Sequence, residues 1–385
     1  MSIKTYEGRD VLTGRGVRVL VRSGVIDSFE LIDDPAELPW ISHGLVDLQI
    51  NGFGGVDLNS ADLTVEEVSQ MTRMLAECGT SFWVPTIITQ SHDHIAQILR
   101  TLALAVEQDP AVAAAIQCAH IEGPFISALD GPRGAHEKEF VRDISVEEVA
   151  RWQEIFPIGY VTLSPHWDQA PRKISALRAL GVHVAIGHTH ADAKEVAAAS
   201  VAGATLCTHL GNGMKAEIAR HPNLLWEQIA DRTLDAGLIA DGHHLPAAVL
   251  ETVVRAKGAD NCFLVSDSVA LAGSPPGRYT TPIGGDVILS QDGRLSLAHN
   301  EHLLAGAAVP LAHCVRFAAM QTQLAVSDVF AMATEIPGKI LGEISGRGSV
   351  GVITAGKRAN LVLWDAQFRP MEVINMASSA EVAQS

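Results

Sequence analysis

The pattern of apolar and polar positions changes twice along the chain, which divides it into two β-rich ends and a long middle region. Near the start, residues 17–22 and 25–29 alternate between apolar and polar side chains, as half-buried strands do. Residues 348–364 form a turn-rich β stretch near the other end. Two such ends predict one small β-sandwich domain formed by both termini, which we place at residues 1–42 and 348–385.

The middle region, residues 43–347, alternates short apolar runs with longer segments of helical periodicity. Residues 63–78 and 191–202 show that periodicity, and Gly203 predicts the end of the second segment. Eight apolar runs alternating with helices over about 300 residues predict an α/β fold, a (β/α)8 TIM-like barrel. The predicted strands are residues 45–50, 82–86, 116–121, 160–163, 182–186, 205–208, 236–240 and 262–265.

A doubly wound open sheet is the alternative fold for the same alternation. Such a sheet usually binds a nucleotide at its first strand-to-helix turn, through the spacing Gly-x-Gly-x-x-Gly. The turn Asn51-Gly-Phe-Gly-Gly-Val lacks that spacing, and the chain has no Gly-x-x-x-x-Gly-Lys-Ser/Thr motif. These observations favour the barrel.

Composition and charge narrow the class of protein. Of the 385 residues, 47% are hydrophobic and 19% are charged, which is typical of a folded protein with a large core. The formal net charge of −16 argues against general binding to nucleic acid or to an anionic membrane. The N-terminus has no apolar signal core, and no apolar run is long enough to span a bilayer.

The cysteines indicate the redox compartment. The chain has five of them, widely spaced and without a Cys-x-x-Cys pair, which argues against a disulfide framework or a cysteine zinc site. We therefore expect a soluble, cytoplasmic protein.

Residues that follow the strands carry the chemistry of a (β/α)8 barrel, because the eight carboxyl ends meet at one mouth. Glu122 follows the third predicted strand, His188 the fifth, His209 the sixth and Asp267 the eighth. Each has a structural alternative: Glu122 suits a turn, Asp267 suits a helix cap, and a lone histidine is more often part of the packing. Their common position after strands favours a shared site.

One carboxylate and two imidazoles are a common ligand set for a catalytic zinc ion, with a fourth position open for water. Such an ion lowers the pKa of its water from about 15.7 toward about 7, which gives a hydroxide nucleophile at neutral pH. Asp267 could take the proton from that water and return it to a leaving amine. The residues therefore predict hydrolysis of an amide or ester.

Five motifs follow the strands in order: His120-Ile-Glu-Gly-Pro-Phe, Gly187-His-Thr, Cys207-Thr-His-Leu-Gly-Asn-Gly-Met, Ile239-Ala-Asp-Gly-His-His and Leu264-Val-Ser-Asp-Ser. They resemble the motifs of the N-acetylglucosamine-6-phosphate deacetylases, a family of the amidohydrolase superfamily. The likeness extends from Gly44 to Val362 and so covers nearly the whole chain.

The resemblance implies a reaction and a set of site residues. The reaction is hydrolysis of N-acetyl-D-glucosamine 6-phosphate to D-glucosamine 6-phosphate and acetate. Asp267 is implied as general base and acid, and His136 as the residue that helps to polarise the acetyl carbonyl. A homodimer is implied, because in the family the arginine matching Arg220 reaches the neighbouring active site. The implied metal ligands are Glu122, His188 and His209, and the implied substrate-binding residues are Asn212, Gly213, Arg220 and His244.

The first strand bears on the number of metal ions. Many superfamily members carry His-x-His there for a second metal, whereas this chain has Gln49 and Asn51, as in the single-metal branch of the deacetylases. Amide oxygens are weak zinc ligands, so we predict one tightly bound divalent ion per chain. Zinc is the first choice, and iron, manganese and cobalt also suit one glutamate and two histidines.

The chain departs from the family pattern near the pocket. Gly211 and Gly213 stand where an aromatic residue and an alanine are common, which predicts a looser loop. His166 stands where an acidic residue is common, and His243 is also unusual. These departures leave open an unphosphorylated or epimeric N-acetyl amino sugar as the substrate. A catalytically silent scaffold is a third alternative, but such proteins typically lose metal ligands that this chain retains.

Overall fold

A computed structural model describes residues 3–33, 37–281 and 285–375, and its strands and helices are numbered in chain order. The strands are β1 (Ile3–Asp10), β2 (Gly16–Arg22), β3 (Val25–Ile32), β4 (Trp40–His43), β5 (Leu45–Ile50), β6 (Gly52–Phe53), β7 (Val56–Asp57), β8 (Thr80–Ile88), β9 (Ala119–Glu122), β10 (Ile158–Leu163), β11 (His183–Ile186), β12 (Leu206–Cys207), β13 (Asp235–Ile239), β14 (Cys262–Val265), β15 (Gly277–Thr281), β16 (Gly285–Leu289), β17 (Arg294–Leu297), β18 (Asn300–Ala307), β19 (Leu361–Trp364) and β20 (Pro370–Ile374).

The helices begin at polar caps where the sequence offers them. Thr64 and Asp192 each form a capping box with the glutamate three residues later, which starts α1 and α6. Within the described ranges, none of the helices has the length and hydropathy to cross a membrane. The helices are α1 (Val65–Glu77), α2 (His92–Gln108), α3 (Pro110–Ala115), α4 (Val146–Gln153), α5 (Ala170–Ala179), α6 (Ala193–Val201), α7 (Leu224–Ala230), α8 (Ala247–Lys257), α9 (Leu311–Gln321), α10 (Val326–Ala331) and α11 (Glu335–Ser345).

The eight apolar runs of the middle region form one parallel sheet in the order β5, β8, β9, β10, β11, β12, β13, β14. The ends of this sheet meet through a single bridge between Ile50 and Ser268, and the backbone N–H of Asp267 donates to the carbonyl of Gln49 at 3.0 Å. Asp47 strengthens this seam, because its carboxylate accepts from the backbone N–H of Ser266 at 3.2 Å. The predicted (β/α)8 barrel is confirmed, and the doubly wound sheet is wrong.

The inside of the barrel is apolar near the strand starts. Val46, Leu48 and Phe263 pack there against Ile340 and Leu341 of α11, which closes this end of the barrel. A second and larger apolar cluster lies between the strands and the surrounding helices. Polar side chains lie at the opposite end of the barrel, at the carboxyl ends of the strands.

Both ends of the chain contribute to one antiparallel-rich sheet in the order β20, β19, β4, β1, β2, β3. Val17, Val19, Ile41 and Leu361 form its buried core. β4 passes into the barrel after one residue, since β5 begins two positions after β4 ends. The boundaries proposed for the small domain remain a prediction, and residues 1–2, 34–36 and 376–385 of it lie outside the described residues.

An antiparallel sheet of β15 to β18 follows the last barrel strand, and the hydrophobic pattern did not predict it. A bridge between Ser268 and Ala307 attaches this sheet to the barrel. Its β16–β17 turn reaches the mouth, where a ring nitrogen of His243, Nε2, lies 3.2 Å from the carbonyl oxygen of Asp292. His243, one of the unusual residues, thus contacts this added sheet.

Lys257, the last residue of α8, is fully buried. Its Nζ donates to the carbonyl oxygens of Gln228 at 2.7 Å and Asp231 at 2.8 Å, at the carboxyl end of α7. A lysine ammonium stabilises this end of a helix, where carbonyl oxygens lack partners within the helix. The side chain therefore ties two neighbouring helices together.

Replacing Lys257 by methionine keeps an unbranched stem and removes both hydrogen bonds. We expect the free energy of unfolding to fall by about 2–4 kcal/mol, because two buried carbonyl oxygens lose a charged donor. Urea denaturation measures the change. Lys194→Met, at an exposed position of α6, is the matched control and should change stability by less than about 0.5 kcal/mol. Equal losses in the two variants would contradict the role given to Lys257.

Candidate active site

Three side chains from neighbouring strand ends meet at the mouth of the barrel. Glu122 is the last residue of β9, and His188 and His209 follow β11 and β12 by two positions. Oε1 of Glu122 lies 3.2 Å from Nε2 of His188 and 3.0 Å from Nε2 of His209, and the two nitrogens are 3.0 Å apart. All three residues are buried, and they are the one group of this kind that could hold a metal ion in the described part of the chain.

The backbone turns sharply to aim these side chains inward. His188, His209 and Asp267 all have left-handed backbone, with φ of 47°, 28° and 51°. Non-glycine residues adopt this conformation at a cost, and such strained residues cluster at active sites. Gly213, a predicted substrate-binding residue, packs against His188 so closely that a Cβ would lie 2.9 Å from Nδ1. Its carbonyl accepts from the N–H of Thr189 at 3.0 Å, so the loop is held here rather than loose.

The ligand set fits a divalent cation. Nδ1 of His188 lies 2.9 Å from the carbonyl oxygen of Pro132, which only accepts, so the ring proton is on Nδ1 and a lone pair on Nε2 faces Glu122. A carboxylate oxygen and an imidazole lone pair at 3.2 Å repel each other unless positive charge lies between them. One carboxylate and two imidazoles are suitable ligands for zinc and similar ions.

The pKa shifts of Glu122 and His209 also favour positive charge at this site. Burial opposes ionisation of Glu122, but when protons lie on the facing nitrogens of His188 and His209, their hydrogen bonds hold the pKa of the Glu122 carboxyl well below the usual range. Burial also disfavours charge on His209, yet its hydrogen bond with Glu122 raises the pKa of the imidazole. The site therefore favours positive charge among buried side chains.

Asp267 lies beside this group, two positions after β14. The side-chain amide of Gln49 connects it to Glu122, because Nε2 donates to Oε1 of Glu122 and to Oδ1 of Asp267, both at 3.0 Å. Burial and the negative charge of Glu122 raise the pKa of Asp267 to about 6. A carboxyl group with such a pKa can both accept and release a proton near neutral pH.

His136 is buried against the metal-ligand group, with Nε2 at 3.3 Å from Nε2 of His188. Nδ1 of His136 lies 2.9 Å from the hydroxyl oxygen of Thr89 and 3.4 Å from its backbone nitrogen, and Nε2 faces the site. Burial lowers the pKa of His136 to about 3, and His188 contributes to the shift. His136 is therefore neutral, and in the tautomer that carries the ring proton on Nε2 it donates a hydrogen bond into the site.

The remaining predicted residues lie around this centre at different distances. The amide of Asn212 donates to the carbonyl oxygen of His209 at 3.3 Å, so it lies on the same loop as a ligand. His244 is partly buried, and its Nδ1 lies 2.7 Å from Oδ2 of Asp241. Arg220 has an exposed side chain on the loop before α7, and no hydrogen bond or ion pair among the described residues joins it to the others.

Several supporting residues were not recognised in the sequence. Thr89 contacts His136, and Asp241 contacts His244. Asp241 lies within one of the five motifs, whereas Thr89 lies in none of them. Beneath the ligands, His120 contacts the hydroxyl groups of Thr86 at 3.1 Å and Thr162 at 2.7 Å. Burial lowers the pKa of His120 to about 3, so this ring acts as a neutral link between strands. Threonines have no distinctive spacing, so only the fold brings them together.

Comparison with known proteins identifies the family of the chain. The model of the amidohydrolase family matches residues 40–384. The N-acetylglucosamine-6-phosphate deacetylase of Bacillus subtilis (strain 168) is 32% identical over 324 residues, which cover 83% of this chain and 79% of that protein. The N-acetylgalactosamine-6-phosphate deacetylase of Shewanella sp. (strain ANA-3) is 31% identical over 332 residues, which cover 86% of this chain and 80% of that protein.

A solved structure extends the similarity to the fold. The chain resembles a mutant N-acetyl-D-glucosamine-6-phosphate deacetylase from Mycobacterium smegmatis in complex with N-acetyl-D-glucosamine 6-phosphate. The TM-score is 0.85 at 26% identity, and the match covers 97% of this chain and 98% of the other. By its sequence, its barrel and its relatives, the chain belongs to the N-acetylglucosamine-6-phosphate deacetylase family of the amidohydrolases, which are metal-dependent hydrolases.

Proposed function

We propose that this protein hydrolyses the N-acetyl group of N-acetyl-D-glucosamine 6-phosphate and releases D-glucosamine 6-phosphate and acetate. The observation that carries the proposal is the buried group of Glu122, His188 and His209 beside Asp267 at the barrel mouth. The B. subtilis relative is named for this reaction, and the M. smegmatis structure has this sugar phosphate bound.

We infer one tightly bound divalent ion per chain, zinc first, with iron, manganese or cobalt also suitable. Glu122, His188 and His209 would hold it. When bound, such an ion polarises the acetyl carbonyl and lowers the pKa of water toward about 7. Gln49 and Asn51 stand where a second ion would need strong ligands, and their nitrogens face Asp267 instead.

Asp267 transfers the proton, and His136 stabilises the charge that develops on the carbonyl oxygen. Asp267 takes a proton from the attacking water and delivers it to the amine nitrogen as the C–N bond breaks. The Nε2–H of His136 donates a hydrogen bond to the carbonyl oxygen, which becomes negatively charged as water adds. A positioned donor of this kind stabilises the transition state by about 3 kcal/mol.

The sugar phosphate is bound by residues beyond the metal ligands. Asn212, Gly213 and His244 lie on the loops that border the mouth, and Asp241 holds His244 in place. Arg220 contacts the phosphate from the neighbouring subunit of a homodimer. The exposure of its side chain supports this assignment.

We infer a cytoplasmic location from the thiols. All five cysteines are free, and four of them are buried in the core. Free thiols are usual in a reducing compartment.

Acetate release from zinc-loaded protein tests the reaction. We expect turnover of N-acetylglucosamine 6-phosphate, and far less of unphosphorylated N-acetylglucosamine, because a phosphate adds charge-assisted contacts. N-acetylgalactosamine 6-phosphate is the third substrate, since the Shewanella relative is named for it. Turnover of the free sugar alone, or of none of the three, would refute the proposed substrate.

Asp267→Asn tests the proton carrier. The substitution keeps the shape of the side chain but removes the basic oxygen, so we expect kcat to fall by about 10²-fold or more. Metal analysis should still find one ion per chain, because Glu122, His188 and His209 are unchanged. Turnover near that of the wild type would show that another group moves the proton.

Arg220→Ala tests both the phosphate contact and the dimer. We expect KM for the phosphorylated sugar to rise at least about 10-fold, while Arg172→Ala, another exposed arginine, has no effect. Mixing Arg220→Ala with Asp267→Asn and allowing subunits to exchange should restore a low-KM activity. In the mixed dimer one site has an intact Asp267 and receives an intact arginine. No recovery after demonstrated exchange would contradict a contact from the partner.

A further inference from the structure

The end of β5 departs from the regular alternation of a strand. Val46 and Leu48 pack inside the barrel, so simple alternation would turn Gln49 away from the interior. The pairing of β5 with β8 shifts in register between Asp47 and Ile50. Such irregularities redirect side chains next to active sites, and here Gln49 is directed to the two carboxylates.

Two amide groups converge on one oxygen of Asp267. Nδ2 of Asn51 lies 2.7 Å from Oδ1 of Asp267, and Nε2 of Gln49 lies 3.0 Å from the same oxygen. Ionised carboxylates only accept hydrogen bonds, so both amides must present nitrogen here. The other hydrogen of the Gln49 amide is directed to Oε1 of Glu122 at 3.0 Å.

The two carboxylate oxygens of Asp267 differ in their hydrogen bonds. No hydrogen bond to Oδ2 is found among the described residues, whereas Oδ1 accepts two. Oδ1 of Asn51 is buried and also has no partner within the described ranges, so this amide is held by its nitrogen end alone. An unpartnered buried oxygen is costly, which argues that the contact of Asn51 with Asp267 has a purpose.

The backbone makes this arrangement rigid. The N–H of Asp267 donates to the carbonyl of Gln49 at 3.0 Å, and the N–H of Asn51 donates to the carbonyl of Ser268 at 2.8 Å. The two strands that carry the amides and the carboxylate are therefore joined on both sides of the side-chain contacts. These backbone bonds fix the points from which the two amides and the carboxylate project.

We propose that Gln49 and Asn51 are positioning residues, here called the amide clamp, which fix Oδ1 of Asp267 and leave Oδ2 as the atom that carries the proton. The role of Asp267 as proton carrier is taken from the proposed function. The amide clamp also places an N–H group between two carboxylates that would otherwise repel each other. A clamped carboxylate needs no rotation between accepting a proton from water and delivering it to the amine.

Asn51→Leu is the sharpest variant, because the side-chain nitrogen of Asn51 donates a hydrogen bond to Asp267 and to no other described residue. We expect kcat to fall about 10- to 100-fold, as is usual when a partner of a catalytic group is removed. KM should change little, and the protein should keep one metal ion. Gln49→Met should act in the same direction. Gln97→Met, an amide on the surface of α2 that donates to the carbonyl of Ala61, is the matched control and should leave kcat unchanged.

Adding Asn51→Leu to Asp267→Asn separates positioning from general damage. A residue that acts through Asp267 has no further effect once the proton carrier is lost, so the double variant should have the kcat of Asp267→Asn. A further loss of kcat in the double variant would overturn the proposal. Wild-type kcat in the single variants Asn51→Leu and Gln49→Met would overturn it as well.

Thermal unfolding gives a test that does not depend on activity. Asn51→Leu should lower Tm in the wild-type background but not in Asp267→Ala, because the shared hydrogen bond is already absent there. Additive shifts in Tm would show that the contact does not exist and would overturn the amide clamp. If the wild-type protein released no acetate, the proposed function would fail, while non-additive shifts in Tm would still support the contact.

Discussion

Three side-chain atoms that could bind a cation, and that face one another in a buried space, impose the main constraint on this protein. Oε1 of Glu122 and the Nε2 atoms of His188 and His209 lie within 3.0–3.2 Å of each other. Such a group is unfavourable unless a cation is bound among its members, so the rest of the fold must hold it together. Left-handed backbone at both histidines and the carbonyl of Pro132 supply that restraint. Local strain at the mouth is thus offset by the packing of the barrel beneath it.

The layers of the barrel explain why chemistry occurs at one end only. α11 and the apolar side chains near the strand starts close the bottom of the barrel. Above them, His120 stacks on Tyr160 with ring centroids 3.9 Å apart and contacts threonine hydroxyls on the strands to either side. This neutral polar layer satisfies its own hydrogen bonds and supports Glu122, His188 and His209 above it. Polarity therefore rises from the strand starts to the mouth, where the strand ends present their side chains.

The contacts between β5 and β14 close the barrel and also hold a residue of the site. These strands are connected by few backbone bonds, and the carboxylate of Asp47 accepts from the N–H of Ser266. Asp47 is buried at this seam, and the burial raises the pKa of its carboxyl to about 7. Asp267 leaves the barrel at the same place and contacts Gln49 through both backbone and side chain. The residue that we assign to proton transfer is thus held by the contacts that close the barrel.

The sequence by itself determined the order of strands and helices, the barrel and the residues that follow its strands. Apolar runs and helical periodicity are local signals, and the parallel barrel allows few other arrangements of them. Glu122, His188, His209 and Asp267 were found in this way, because position after a strand can be read from the chain. The added sheet of β15 to β18 could not be found, since its strands are short and partly exposed.

Only the tertiary structure decided how the site is oriented. Which nitrogen of His136 carries the proton depends on Thr89, and which oxygen of Asp267 is free depends on Gln49 and Asn51. The register shift in β5 has no signature in its residues, because it arises from pairing with a strand thirty residues later. Hydrogen bonds between distant segments depend on geometry that no local pattern specifies. The chain thus encodes which groups the site contains, and the closed barrel determines where each donor and acceptor points.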